Sequence, residues 1–136
     1  DYHVILLLKE NDPITNAKKM WVYDLDTTLP FPCDIETYAY EALIPVAVPQ
    51  YQRKYRVVPS EVFLKVFASD RSHMKKPDGT WISDPPNYSP ISSPESAMNL
   101  HEFLSMTENL KSEEYGEVLD EKDFLKFCNV QRSDRV

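Results

Sequence analysis

With 136 residues, 42% hydrophobic and 27% charged, the chain is one domain's worth of sequence, able to bury a core but near the small end for an enzyme. Fifteen Lys and Arg against 22 Asp and Glu leave a formal net charge of −7, and no basic run exceeds Lys18-Lys19 or Lys75-Lys76. Nucleic acid and anionic membrane surfaces reward clustered positive charge and so are not expected partners, and the longest apolar run, residues 4–8, is far below the roughly 20 residues that span a bilayer.

Residues 4–8 and 20–23 are short apolar runs, β-branched or aromatic at several positions, on either side of a polar insert holding Asn11-Asp12-Pro13. That pattern predicts a β-hairpin. A turn symmetric about Pro13 and Ile14 sets Val4 opposite Tyr23 and His3 opposite Asp24, and cross-strand neighbours have Cβ atoms roughly 4.5 to 5.5 Å apart, within hydrogen-bonding reach. An imidazole held by a carboxylate is the orienting half of a nucleophilic triad. The commoner reading of such a pair is a solvated ion pair or strand-end cap, and a slip of one residue would turn the two side chains to opposite faces.

Beyond the hairpin, Pro30 and Pro32 lack backbone donors, so the chain is expected to leave the sheet there. Ile35, Tyr38, Ala39, Ala42 and Leu43 then fall on one helical face, with Asp34 as N-cap and Pro45 closing the helix. Residues 49–54 predict a short basic turn or helix, 55–58 a third strand, and 60–68 a helix with Val62, Phe63, Val66 and Phe67 as its stripe. Residues 69–98 hold Pro77, Pro85, Pro86, Pro90 and Pro94 with an Asp78-Gly79 turn, a long loop. Trp81, Ile82, Tyr88 and Ile91 point to an ordered covering packed on the core, not a linker. Asn99 with Glu102 has capping-box spacing, Asp120 reads as a second N-cap, and helices are expected over about 99–106 and 120–128, with the last eight residues frayed. There is no internal repeat, and the mixture indicates an α+β or mixed three-layer domain.

Cys33 and Cys128 lie far apart, without a C-x-x-C pair, which argues against a zinc ribbon or disulfide scaffold and fits a reducing compartment. No metal or cofactor is expected. The chain shows neither an initiator methionine nor a signal-peptide pattern and is read as opening in mid-strand, with an upstream portion that packs on that strand missing.

Three motifs carry a resemblance. Asp1-Tyr2-His3-Val4, then Tyr23-Asp24-Leu25-Asp26-Thr27 running into Leu29-Pro30-Phe31-Pro32-Cys33, then residues 67–74 (Phe67-Ala68-Ser69-Asp70-Arg71-Ser72-His73-Met74), with Met98-Asn99-Leu100 and Phe103 following, resemble in order the protein N-terminal glutamine amidohydrolases. That family is often named for its Trp-Asp-Tyr-His-Val motif. The resemblance implies a papain-like or transglutaminase-like α-β-α sandwich, residues 1–136 being the later part of a single amidohydrolase domain. It implies removal of ammonia from glutamine at the first position of a polypeptide, leaving a glutamate that feeds the N-degron pathway in cytoplasm and nucleus. Polypeptides beginning with Gln are then the partners, and a monomer is expected.

The resemblance places the catalytic His on His3 and the catalytic Asp on Asp24. The family's nucleophilic Cys lies upstream of the histidine motif and is absent here, as is the motif's tryptophan. Cys33, just after Pro32 at a helix start where its pKa is expected to be lowered, matches a family cysteine that is not the nucleophile. Cys128 reads as core. For the substrate's α-ammonium, Asp70 and Asp26 are candidates. Asp70 reads equally as a salt bridge to Arg71 or a cap, and Asp26 rather as a turn or sheet-end hydrogen bond. His73 reads as a structural hydrogen-bonder. The rival readings are a non-catalytic truncated module and another papain-like thiol hydrolase. The 136 residues alone are expected to be catalytically silent and marginally folded.

Overall fold

A computed structural model of the chain describes residues 2–108 and 110–131. It is a mixed α+β structure that divides into two compact units, residues 1–53 with 120–136, and residues 54–119. Among the described residues no helix is long and apolar enough to cross a membrane.

The first unit is built on the predicted hairpin. Strands β1 (Leu6–Asn11) and β2 (Lys18–Tyr23) run antiparallel, with Leu6 opposite Tyr23 and Asn11 opposite Lys18. Asp12 shapes the turn: its Oδ1 accepts the Ile14 and Thr15 N–H groups, each at 2.9 Å, its Oδ2 lies 3.0 Å from Lys19 Nζ, and Asn16 takes a positive φ of 56°. These donors hold the Asp12 carboxyl well below the usual range. The turn therefore centres one residue later than expected, and the register is displaced by two positions, Leu6 and not Val4 facing Tyr23. Strand pairing begins only at Leu6, so the chain does not open in mid-strand among the described residues; β1 is an edge, with Leu6 and Leu8 exposed.

Because side chains alternate along a strand, Met20 and Val22 of β2 point inward, and Asp24, next in that series, is buried with them. Strand β3 (Cys33–Asp34) pairs with Val22 and Trp21, so the chain returns to the sheet where departure was expected. Proline denies a donor only at its own position, and β3 starts immediately after Pro32. Asp34 caps helix α1 (Ile35–Glu41) as predicted, accepting the Thr37 N–H at 2.9 Å. The helix closes at Ala42, short of Pro45, and lays Ile35, Tyr38 and Ala39 on β2 and β3. Asp120 likewise caps helix α5 (Glu121–Phe127) through the Asp123 N–H. Residues 129 and 130 are not frayed: Asn129 adopts a left-handed φ of 59°, and the Asn129 and Val130 N–H groups close the helix on the Lys126 and Leu125 carbonyls. Residues 132–136 of the tail expected to fray lie outside the described residues.

In the second unit, strand β4 (Lys54–Val57) pairs with β5 (Glu117–Asp120), and helices α2 (Ser60–Val66), α3 (Leu100–Leu104) and α4 (Ser112–Tyr115) accompany them. The stripe predicted for α2 feeds an aromatic cluster in which Phe63 and Phe67 stack at 4.6 Å and Phe103 meets both edge-on, at 5.3 and 5.5 Å. Arg56 donates to the Ser105, Thr107 and Tyr115 carbonyls, tying β4 to the segment that follows α3 and to the end of α4. Gly116 at φ 66° presses on the Val57 carbonyl, where a Cβ would overlap it. Residues 69–98 are ordered as expected but not packed as a core covering, since Ile82, Tyr88 and Ile91 are exposed. Backbone bridges Ser69–Ile91 and Lys75–Trp81 and cation–π contacts of Arg71 on Tyr88 and Lys75 on Trp81 hold this segment instead. The capping box at Asn99 does not form. Its buried side chain accepts the Ala68 N–H and donates to the Val66 carbonyl, both at 2.7 Å, so it ends α2 rather than beginning α3.

Candidate functional site

The end of β2 and the segment before β1 bring His3 and Asp24 together. His3 Nε2 lies 2.9 Å from Asp24 Oδ1, and the His3 side chain is 48% exposed against 7% for Asp24. The ladder ends at the Leu6–Tyr23 pair, so His3 and Asp24 meet beyond the paired residues of the hairpin and not directly opposite one another within it. The chain turns directly after Asp24, whose Oδ1 also accepts the Asp26 N–H at 2.9 Å. Its other oxygen, Oδ2, accepts the hydroxyl of Tyr38 at 2.7 Å.

These contacts decide the charge of Asp24. Burial pushes its carboxyl pKa up, but the Tyr38 hydroxyl, the Asp26 N–H and His3 together outweigh it, and the net direction is down. An ionised carboxylate only accepts, so the His3 proton in the neutral imidazole sits on Nε2 and the lone pair on Nδ1. Asp26, largely exposed, has Oδ2 3.6 Å from that nitrogen. The site is thus a half-exposed imidazole, oriented from behind by a buried carboxylate and bordered by a second one.

His3, Asp24 and Asp26 each offer one ligand atom, all within 4.8 Å of one another. Asp24 is committed to His3 and Tyr38, which leaves two free ligands where a catalytic zinc takes three from protein.

Neither cysteine is an activated thiol. Cys33 is 1% exposed, and burial, with Asp34 beside it, pushes its pKa up, against the lowering expected at a helix start. Desolvation outweighs any helix-end effect there. Cys128 is buried and pushed up to about 11 by burial, so its reading as core stands. Asp70 lies exposed in the second unit, where its carboxylate accepts the Ser72 N–H at 2.8 Å and opens a 3-10 turn, Ser72–Met74. That turn contains the exposed His73. Arg71 is the N-cap of that turn and no side-chain bond caps it, so the Asp70 contact is a local turn two residues long and not the cap weighed for it. Arg71 instead reaches the Pro86 and Ser89 carbonyls. The residue missed by sequence reasoning is Tyr38, placed on an apolar stripe as core; a buried tyrosine where phenylalanine would pack equally well was the available signal, because its hydroxyl must find a partner.

The family profile described as N-terminal glutamine amidase matches residues 1–128. Three relatives named protein N-terminal glutamine amidohydrolase are similar to the chain. The one from Danio rerio is 46% identical over 136 residues, covering 96% of this chain and 62% of the relative. The one from Homo sapiens is 45% identical over 108 residues, covering 78% and 50%, and the one from Arabidopsis thaliana 41% over 110 residues, covering 79% and 48%. The chain spans about half the length of most of the curated relatives it matches.

Proposed function

The chain belongs to the N-terminal glutamine amidase family, and from that premise we propose that the protein hydrolyses the side-chain amide of a first-position glutamine, releasing ammonia and leaving glutamate. The observation that carries this reading is the 2.9 Å pairing of half-exposed His3 with buried, ionised Asp24. With both cysteines of residues 1–136 buried, the third member of the triad is proposed to be a cysteine encoded before Asp1. Its thiol gives a proton to His3, and the thiolate attacks the carboxamide carbon. The imidazolium returns the proton to the leaving nitrogen, ammonia departs, and His3 then takes a proton from water as it attacks the γ-glutamyl thioester, which restores the thiol. Asp24 remains ionised throughout, holding the imidazole and stabilising the imidazolium.

Reading a free α-ammonium requires an anionic acceptor. Asp26, beside His3 Nδ1, and exposed Asp70 are the carboxylates assigned to it. The proposal includes a papain-like or transglutaminase-like α-β-α sandwich, residues 1–136 as the later part of one domain, a monomer, and action on polypeptides of cytoplasm and nucleus within the N-degron pathway. A second reading, a non-catalytic module, is favoured by one observation, that both thiols in this chain are buried. Ammonia release from peptides with Gln first and with Gln internal, measured on the full-length protein and its His3→Ala variant, separates them. The proposal expects turnover of the first peptide only, abolished by the substitution. Activity retained by His3→Ala removes the base, equal turnover of internal Gln removes the specificity, and a silent full-length protein leaves the module.

A further inference from the structure

Asp24 sits where a carboxylate is expensive to keep charged, and its two oxygens are served differently. Oδ1 takes His3 Nε2 and the Asp26 N–H, both local to the hairpin end, whereas Oδ2 takes the hydroxyl of Tyr38, fourteen residues away in sequence. Tyr38 is itself buried, and its neighbours Ile35 and Ala39 seat α1 on β2 and β3, so the hydroxyl is delivered from a fixed element. Among the described residues the titratable groups facing Asp24 are His3 from the segment before β1, Tyr38 from α1 and Asp26, whose backbone N–H donates to Oδ1 and whose exposed carboxylate has an oxygen within 4.8 Å of the His3 and Asp24 ligand atoms.

If the hydroxyl is removed, Oδ2 becomes a buried acceptor with that donor gone. The carboxyl then either takes up a proton or rotates about its Cβ–Cγ bond toward water, and both changes weaken its hold on His3 Nε2. We propose that Tyr38 is a positioning residue of this site: its hydroxyl keeps Asp24 ionised and oriented so that Oδ1 stays on His3 Nε2. Tyr38 acts through Asp24 and does not reach the substrate. The assignment deepens the reading of residues 1–128 as an N-terminal glutamine amidase and rests on it for its kinetic part.

The test uses the full-length protein with Tyr38→Phe, which keeps the ring and deletes only the donor, and with 3-fluorotyrosine at position 38, which keeps the fold and strengthens the donor. For Tyr38→Phe, kcat on a Gln-first peptide should fall about tenfold, as expected for one hydrogen bond to a charged group, with KM unchanged and the acid limb of the pH–rate profile moved to higher pH. For 3-fluorotyrosine the limb should move to lower pH. A packing role alone moves neither limb. Unchanged kcat and limb in Tyr38→Phe, a rise in KM alone, or limbs that fail to move in opposite directions overturn the assignment. Titration of the Asp24 carboxyl by carbon NMR reads the same contact without turnover, its pKa rising in Tyr38→Phe. If the parent protein is silent on Gln-first peptides, the amidase reading has failed while this titration still decides the role of Tyr38.

Discussion

Replacing Asp24 by Asn tests the site most directly, because the two side chains have nearly the same shape and differ only in charge and in one donor for an acceptor. Asp24 accepts from His3 Nε2 and the Asp26 N–H at Oδ1 and from Tyr38 at Oδ2. An amide NH₂ at the Oδ1 position faces the Asp26 N–H donor to donor and forces the His3 proton onto Nδ1, the nitrogen that must accept one. With the amide turned the other way, His3 is held by a neutral oxygen, and the Tyr38 hydroxyl must accept from the amide NH₂ where it had donated to a carboxylate. Neither orientation supports an imidazolium, and loss of the comparable carboxylate in a hydrolase triad lowers kcat about ten-thousandfold, so a drop of that order is expected. Exchange of charge-assisted contacts for neutral ones, with two donors facing each other in one of the orientations, in a nearly buried place should cost roughly 2–4 kcal/mol of stability.

The pH dependence has a definite sign. The folded carboxyl of Asp24 is lowered, so its contribution is complete above the unfolded value of about 3.9 and is lost as pH falls through the folded value. Asp24→Asn should therefore be less stable than the parent at neutral pH, and the difference should narrow on acidification. Urea unfolding at several pH values, beside ammonia release on the full-length protein, measures both. A variant whose kcat stays within tenfold of the parent, or whose stability deficit is independent of pH, refutes the reasoning.

Two further outcomes are expected. Asn99→Ala removes both side-chain bonds that end α2 and strands the N–H of the fully buried Ala68, so denaturant unfolding should show a loss of about 2–4 kcal/mol, while Asn99→Asp, which retains the acceptor for Ala68, should lose a different bond, to the Val66 carbonyl. Cys33 and Cys128 should alkylate at neutral pH at least roughly a hundredfold more slowly than a free thiol, because burial raises both pKa values and restricts access, as peptide mapping after iodoacetamide would show, and Cys33→Ala should retain turnover in the full-length protein. Rapid labelling of Cys33 in the folded protein would restore it as a candidate nucleophile.

What the sequence determined by itself is what neighbours within a few residues decide. Asp34 and Asp120 cap α1 and α5 because an N-cap needs only a short acceptor two or three residues before the N–H it binds, and no distant partner competes for it. The hairpin is legible for a similar reason. Its face is too: the period of two that buries Met20 and Val22 also buries Asp24, whereas His3 lies before the paired strand and reaches Asp24 from outside the ladder, which alternation does not decide. The register goes with the turn conformation, in which Asp12 binds the Ile14 and Thr15 N–H groups and Asn16 takes a positive φ. Wherever one side chain has several chemically equal partners, only tertiary burial chooses. Asn99 had the spacing to begin α3, yet it ends α2, because its buried amide is satisfied there on both ends. The Cys33 thiol sat at a local helix start that favours the thiolate, but desolvation arises from everything packed around it and prevails. Tyr38 looked like one more apolar position on a stripe until the fold set Asp24 against its hydroxyl, a contact that no window of neighbouring residues contains.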